Sequence, residues 1–66
     1  MRVRLNGEWH NVKDGITVAD LVAQLGLDHQ RIAIELNRAI VPRPEYASVR
    51  LREADEVEVV HFVGGG

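Results

Sequence analysis

One stripe of apolar residues constrains this chain more than any other feature. Val18, Leu21, Val22 and Leu25 fall at i, i+3, i+4 and i+7, the spacing that lines one side of an α-helix. Thr17 precedes the stripe, and Asp20 three residues later completes a capping-box pattern. Gly26 stands where a helix end wants a left-handed residue. A lone amphipathic helix has nothing to bury its stripe against. Another element must cover it, and the remaining patterned segments are all of the strand type.

Met1, Val3 and Leu5 alternate with Arg2 and Arg4, the period-2 signature of a half-buried strand. Asn6-Gly7 follows as a hairpin signal, because both central positions of a type I′ turn need positive φ. Residues 8–12 return as a second strand, broken by Asp14-Gly15. Ile32, Ile34 and Leu36 alternate with Ala33 and Glu35 as a third strand. A turn at Asn37-Arg38 leads to a short fourth strand over residues 39–41, which Pro42 ends by withholding an amide. Pro44 starts a turn of 3₁₀ helix over Glu45 and Tyr46, and Val49 and Leu51 are packed positions in an irregular stretch. The acidic turn Glu53-Ala54-Asp55 leads into a last strand over residues 56–63. The class is α+β, with one helix across one face of a mixed four- to five-stranded sheet. A right-handed crossover puts the last strand parallel to the first at the sheet centre, the arrangement called the β-grasp. The expected core is Val3, Leu5, Val12, Val18, Leu21, Val22, Leu25, Ile32, Ile34, Leu36, Val57 and Val59. Residues 1–63 form the domain, and Gly64, Gly65 and Gly66 a flexible tail.

Sixty-six residues leave room for one small core and no deep cleft. Cysteine is absent, which removes disulfides, Cys-ligated zinc and thiol nucleophiles. Ser48 is the only serine and sits in no nucleophile elbow. His10, His29 and His61 lie far apart without metal-ligand spacing. No phosphate-binding glycine pattern precedes a helix. The net charge of −2 gives no reason to approach nucleic acid or an anionic membrane. No apolar run is long enough to span a bilayer, and the first residues read as a strand and not a signal peptide. A cytoplasmic location is expected. Lys13 is the only lysine, so chains linked through this protein's own lysines are not expected.

The tail carries the functional argument. Glycines pack nothing and cost the most backbone entropy to order. Without β-carbons, however, they let the backbone thread a narrow enzyme channel, and three extended residues reach about 10 Å. The group they would deliver is the carboxylate of Gly66; a frayed end is the plain alternative. In the strand before the tail, Val57 and Val59 facing the core leave Glu58, Val60 and Phe62 on the outer face. Val60 beside Phe62 in solvent suggests a docking patch, unless a second layer or a dimer mate covers them. Packing Val12 inward turns Trp9 outward as well, and a bulge would reverse it. Glu53, Asp55, Glu56 and Glu58 form either a surface for a basic partner or a solvated hairpin.

Several segments together resemble one family. They are Leu5-Asn6-Gly7-Glu8 at the first turn, Thr17-Val18-Ala19-Asp20-Leu21 at the helix start, Val41-Pro42-Arg43 followed by Tyr46, and residues 55–66 ending Val60-His61-Phe62-Val63-Gly64-Gly65-Gly66. In this order they resemble the ThiS family, the small ubiquitin-like sulfur carriers of thiamin biosynthesis. Glu53-Ala54-Asp55 departs from the pattern, since a glycine is expected in that turn. The resemblance implies a carrier and not an enzyme, without a bound cofactor of its own. An E1-like, ThiF-type adenylyltransferase uses ATP to activate the Gly66 carboxylate. Sulfur from a donor linked to a cysteine desulfurase displaces AMP to leave a thiocarboxylate. A ThiG-type thiazole synthase takes that sulfur into the thiazole ring. Gly64 and Gly65 would thread the tail, and Val60, Phe62 and Glu58 would bind partners. The same tail chemistry also suits a molybdopterin-synthase small subunit or another β-grasp sulfur carrier. From a different class, a plain interaction module would leave the glycines without a role.

Overall fold

The structure is a computed structural model and describes residues 1–62. The expected tail, Gly64 to Gly66, lies outside the described residues, as does Val63, the expected end of the last strand. Five strands form one sheet: β1 (Arg2–Leu5), β2 (Glu8–Asn11), β3 (Ile32–Leu36), β4 (Ala39–Ile40) and β5 (Glu56–His61), in the spatial order β2-β1-β5-β3-β4. The helix α1 (Val18–Gln24) crosses between the hairpins. Parallel pairing of β1 with β5 at the centre, through Arg4–Glu56 and Leu5–Val57, gives the β-grasp topology.

Two two-residue turns shape the sheet, and both have positive φ at each position. Asn6 and Gly7 (φ 49° and 85°) join β1 to β2, and Asn37 and Arg38 (φ 50° and 72°) join β3 to β4. Their twist matches that of the flanking strands.

The helix starts as its sequence dictates. The Asp20 amide donates to the Thr17 hydroxyl at 3.1 Å, and the Thr17 amide donates back to the Asp20 carboxylate at 3.1 Å. That amide, with the Thr17 hydroxyl next and the Arg50 charge after it, holds the Asp20 carboxyl below its ordinary value. The far end departs from expectation at Leu25, which was expected in the core and is exposed. The helix closes one residue before it. The Gly26 amide bonds to the Ala23 carbonyl and the Leu27 amide to the Val22 carbonyl, a Schellman ending that swings Leu25 outward and packs Leu27 inward.

Val3, Leu5, Val18, Leu21, Val22, Ile32, Ile34 and Val57 are buried as expected, whereas Val12, Leu36 and Val59 are only partly so. Ile16, Val41, Tyr46 and Leu51 complete the core from the connecting segments. The short 3₁₀ turn Arg43–Glu45 precedes Tyr46 and begins one residue before Pro44. The Ala19 amide donates to the Tyr46 carbonyl at 2.8 Å, which fastens this segment to the helix start. Among the described residues no helix is long and apolar enough to cross a membrane.

Candidate functional site

Alternation along the strands sends every second side chain to the sheet face away from α1. On β5 these are Glu56, Glu58 and Val60, and Phe62 continues the series just beyond the strand. Register adds Arg2 and Arg4 of β1, Trp9 of β2, Ala33 and Glu35 of β3, and Ile40 of β4. No element of the described chain covers this face, and it holds four of the large exposed apolar side chains. Trp9 is 48% exposed, Ile40 64%, Val60 45% and Phe62 58%.

The face divides into three bands. On the β2–β1 side the Arg2 and Arg4 guanidiniums lie 4.7 and 5.6 Å from the centre of the Trp9 ring. Such stacking of cation on aromatic contributes about 0.5–1 kcal/mol at an exposed site. Trp9 thus points outward without a bulge, and its cover comes from its own hairpin. Glu35, Glu56 and Glu58 form a central acidic band. At the far end Val60, Phe62, Ala33 and Ile40 form an apolar band.

Phe62 is placed from two directions. Its amide donates to the Arg31 carbonyl at 2.9 Å, and the Arg43 guanidinium lies 5.8 Å from its ring centre. Arg43 is itself fixed by donating to the carbonyls of His29, Gln30 and Ile32. Beside Phe62 is a hollow of about 260 Å³, bordered by Ala33, Ile40, Pro42 and Arg43. It is smaller than the ~300–1,000 Å³ of ordinary small-molecule sites and suits the burial of one side chain. Ile40 and Arg43 were not anticipated at this patch. The third-strand alternation, carried across the Asn37-Arg38 turn, could have found Ile40.

The acidic cluster read from the sequence splits in two. The Arg2 amide donates to the Glu53 carboxylate at 2.8 Å, and the Arg52 amide to the Asp55 carboxylate at 2.7 Å. These two acids brace the turn, while Glu56 and Glu58 lie on the open face. Ala54 between them has φ 69°, the left-handed conformation that accounts for the glycine expected there. Among the described residues, no three His, Cys, Asp or Glu side chains are arranged to hold a metal ion.

Comparison with known proteins bears on what this face serves. The sequence profile of the ThiS family matches residues 3–66. The chain belongs to the ThiS family. A sulfur carrier protein ThiS of Bacillus subtilis (strain 168) is 39% identical over 67 residues, which cover 97% of this chain and 98% of that one. The crystal structure of the thiamine biosynthesis protein ThiS from Geobacter metallireducens superposes with a TM-score of 0.87 at 26% identity and covers both chains fully. Two thiazole synthases, from Magnetococcus marinus and Paramagnetospirillum magneticum, are 47% and 41% identical over 66 residues. This ThiS-family chain spans only 20% of the length of those two relatives.

Proposed function

We propose that this chain is a sulfur carrier in thiamin biosynthesis and works through the carboxyl carbon of Gly66. The observation that carries the reading is the ThiS-family match, which runs through the three glycines. The Gly66 carboxylate attacks the α-phosphorus of ATP on a ThiF-type adenylyltransferase, and pyrophosphate leaves. A hydrosulfide equivalent, drawn from a cysteine desulfurase-linked donor, then displaces AMP and leaves a thiocarboxylate. Activation is needed because a bare carboxylate offers no leaving group, whereas a thiocarboxylate is a soft nucleophile at neutral pH. A ThiG-type thiazole synthase receives the sulfur. Two relatives named thiazole synthase hold a segment like this chain within a longer polypeptide, which supports that pairing over the molybdopterin alternative. The chain presents its tail and is recognised; the partners supply the catalysis.

Val60 and Phe62 form the apolar centre of the partner contact and Glu58 its charged flank, where charge chiefly sets orientation and on-rate. Gly64 and Gly65 keep the approach free of β-carbons.

Intact mass spectrometry after incubation with ATP, the adenylyltransferase and a sulfide source tests the reading. The expected product has one oxygen replaced by sulfur at Gly66. One alanine appended after Gly66 moves the carboxylate by about 3.5 Å, and misplacement by about 1 Å already costs about a hundredfold in rate. That variant should lose ATP–pyrophosphate exchange while keeping its fold. Exchange at the native rate would show that Gly66 is not the working group.

A further inference from the structure

The central strand β5 is held at its start and at its middle by the side chains of the two turn asparagines. At its start the Glu56 amide donates to the Asn37 carboxamide oxygen at 2.9 Å, and the Asn37 amide group donates to the Asp55 carboxylate at 3.1 Å. Farther along, the Asn6 amide donates to the Val57 carbonyl at 2.9 Å, and the Val59 amide donates to the Asn6 carboxamide oxygen at 2.8 Å. The two clips differ in what surrounds them. Around Glu56, β5 is paired on both sides: the Asn37 amide donates to the Glu56 carbonyl, and the Arg4 amide to the Asp55 carbonyl. At Val59, β1 has ended and its chain has turned away at Asn6-Gly7. From there to Phe62 the strand keeps its pairing with β3 but has no ladder on the β1 side. Among the described residues, the Asn6 side chain makes the last hydrogen bond that holds β5 on that side.

We propose that Asn6 is a positioning residue for the reaction at Gly66: its carboxamide fixes the direction in which β5 leaves the sheet. This rests on the carrier reading above. Gly66 lies seven residues beyond Val59. If those residues run extended inside a partner, the end lies about 23 Å from Val59, and a tilt of about 10° there moves it by about 4 Å. Val60 and Phe62 lie only one and three residues beyond that pivot and shift far less, by about 0.6 and 1.7 Å. Loss of the Asn6 bond therefore impairs presentation of the carboxylate more than docking.

Three substitutions separate this role from general stability. Asn6→Gly keeps a residue that accepts positive φ and deletes only the acceptor. Asn6→Asp restores an acceptor in the same turn position. Asn37→Gly removes the clip at the start of β5 and controls for loss of strand stability. Each full-length variant is assayed by ATP–pyrophosphate exchange with the ThiF-type enzyme, below its own melting temperature, and amide hydrogen exchange is followed at Val59. Asn6→Gly should speed Val59 exchange and lower kcat about tenfold, with KM changed by less than about threefold, given how steeply rate depends on placement. Asn6→Asp should recover most of kcat, and Asn37→Gly should leave kcat within about twofold of the unaltered chain even where it melts earlier. Native kcat in Asn6→Gly, with Val59 exchange accelerated, would overturn the positioning role and leave the carrier reading intact. So would equal losses in Asn6→Gly and Asn37→Gly, or a Val59 amide that exchanges no faster without the acceptor. No exchange activity from the unaltered chain would remove the carrier reading, and this inference with it.

Discussion

The two faces of the sheet are made from the same strands, residue by residue, yet they obey different rules. Toward α1, Val3, Ile34 and Val57 are at most 1% exposed, and in a close-packed interior even a methylene's change of volume is felt. On the other face, one position along in each strand, stand Arg4, Glu35, Glu58 and Val60, with solvent in front of them. The contrast shows how so small a chain divides its labour. A 66-residue domain has one core to fold with, and period-2 alternation lets the strands that build this core carry a second, independent set of side chains. The open face is therefore able to change with little effect on the fold. The apolar band of Val60, Phe62 and Ile40 is the part of it that stability alone does not explain.

Substitutions on the two faces should behave as opposites. Leu21, 2% exposed beneath the sheet, gives the largest effect. Leu21→Ala should cost about 2–5 kcal/mol, against a total of only about 3–5 kcal/mol for a single core of this size. Urea or thermal unfolding should find much of the population unfolded at room temperature; a native midpoint would break the distinction between the faces. On the open side, Phe62→Asp should shift the melting temperature by no more than about 4 °C. Under the proposed carrier function, the same change should weaken association with a ThiF-type adenylyltransferase about 10- to 100-fold, the range for an apolar contact near the middle of an interface. Calorimetric titration beside a melting curve reads both, and collapse of the fold would place Phe62 with the core instead.

Smaller effects sharpen the comparison at the margins of the sheet. Ala54 holds a left-handed conformation at φ 69°. Ala54→Gly relieves that strain but adds freedom to the unfolded chain, for a net gain of about 0.5–1 kcal/mol. A lower midpoint would mean that the turn relaxes in solution. Smallest is the acid limb at the helix start. Asp20 titrates below the ordinary carboxyl value of 3.8 when folded. Its contribution is thus present above that value and is lost as pH falls through the folded-state pKa. Asp20→Asn should melt earlier than the unaltered chain at neutral pH, and the gap should close below pH 3.8. A constant gap would assign the effect to geometry and not to charge.

Most of the fold was legible because each element carries a local signal. The capping box, the alternation in β1 and β3 and the Asn6-Gly7 turn act over a few residues and were read from those residues. Ile16, Val41 and Tyr46 were not: Ile16 and Tyr46 stand in connections, and Val41 stands at the end of a strand too short for a period to reveal which face it takes. Long-range pairing places them: the Leu51 amide bonds to the Ile16 carbonyl, the Val41 amide to the Ile34 carbonyl, and the Ala19 amide to the Tyr46 carbonyl. Leu25 misled because it continues the helical stripe, while the Gly26 ending hands its place to Leu27. At the candidate site, Val60, Phe62 and Glu58 followed from alternation alone. The stacking of Arg2 and Arg4 on Trp9 and the hold of Arg43 on Phe62 needed cross-strand register and a distant loop.

The parallel pair at the centre of the sheet sets the order in which this molecule can come into being. Arg4 and Leu5 pair with Glu56 and Val57, about fifty positions later, and the ladder between the β1–β2 and β3–β4 hairpins runs entirely through β5. During synthesis the two hairpins and the helix leave the ribosome before the strand that unites them. Until β5 emerges, its place between β1 and β3 is empty, and the apolar side of the helix has half a floor to rest on. Closing so distant a pairing is entropically slow. Folding therefore waits for the strand that leads to the glycines, and a nascent chain that lacks it has no complete open face.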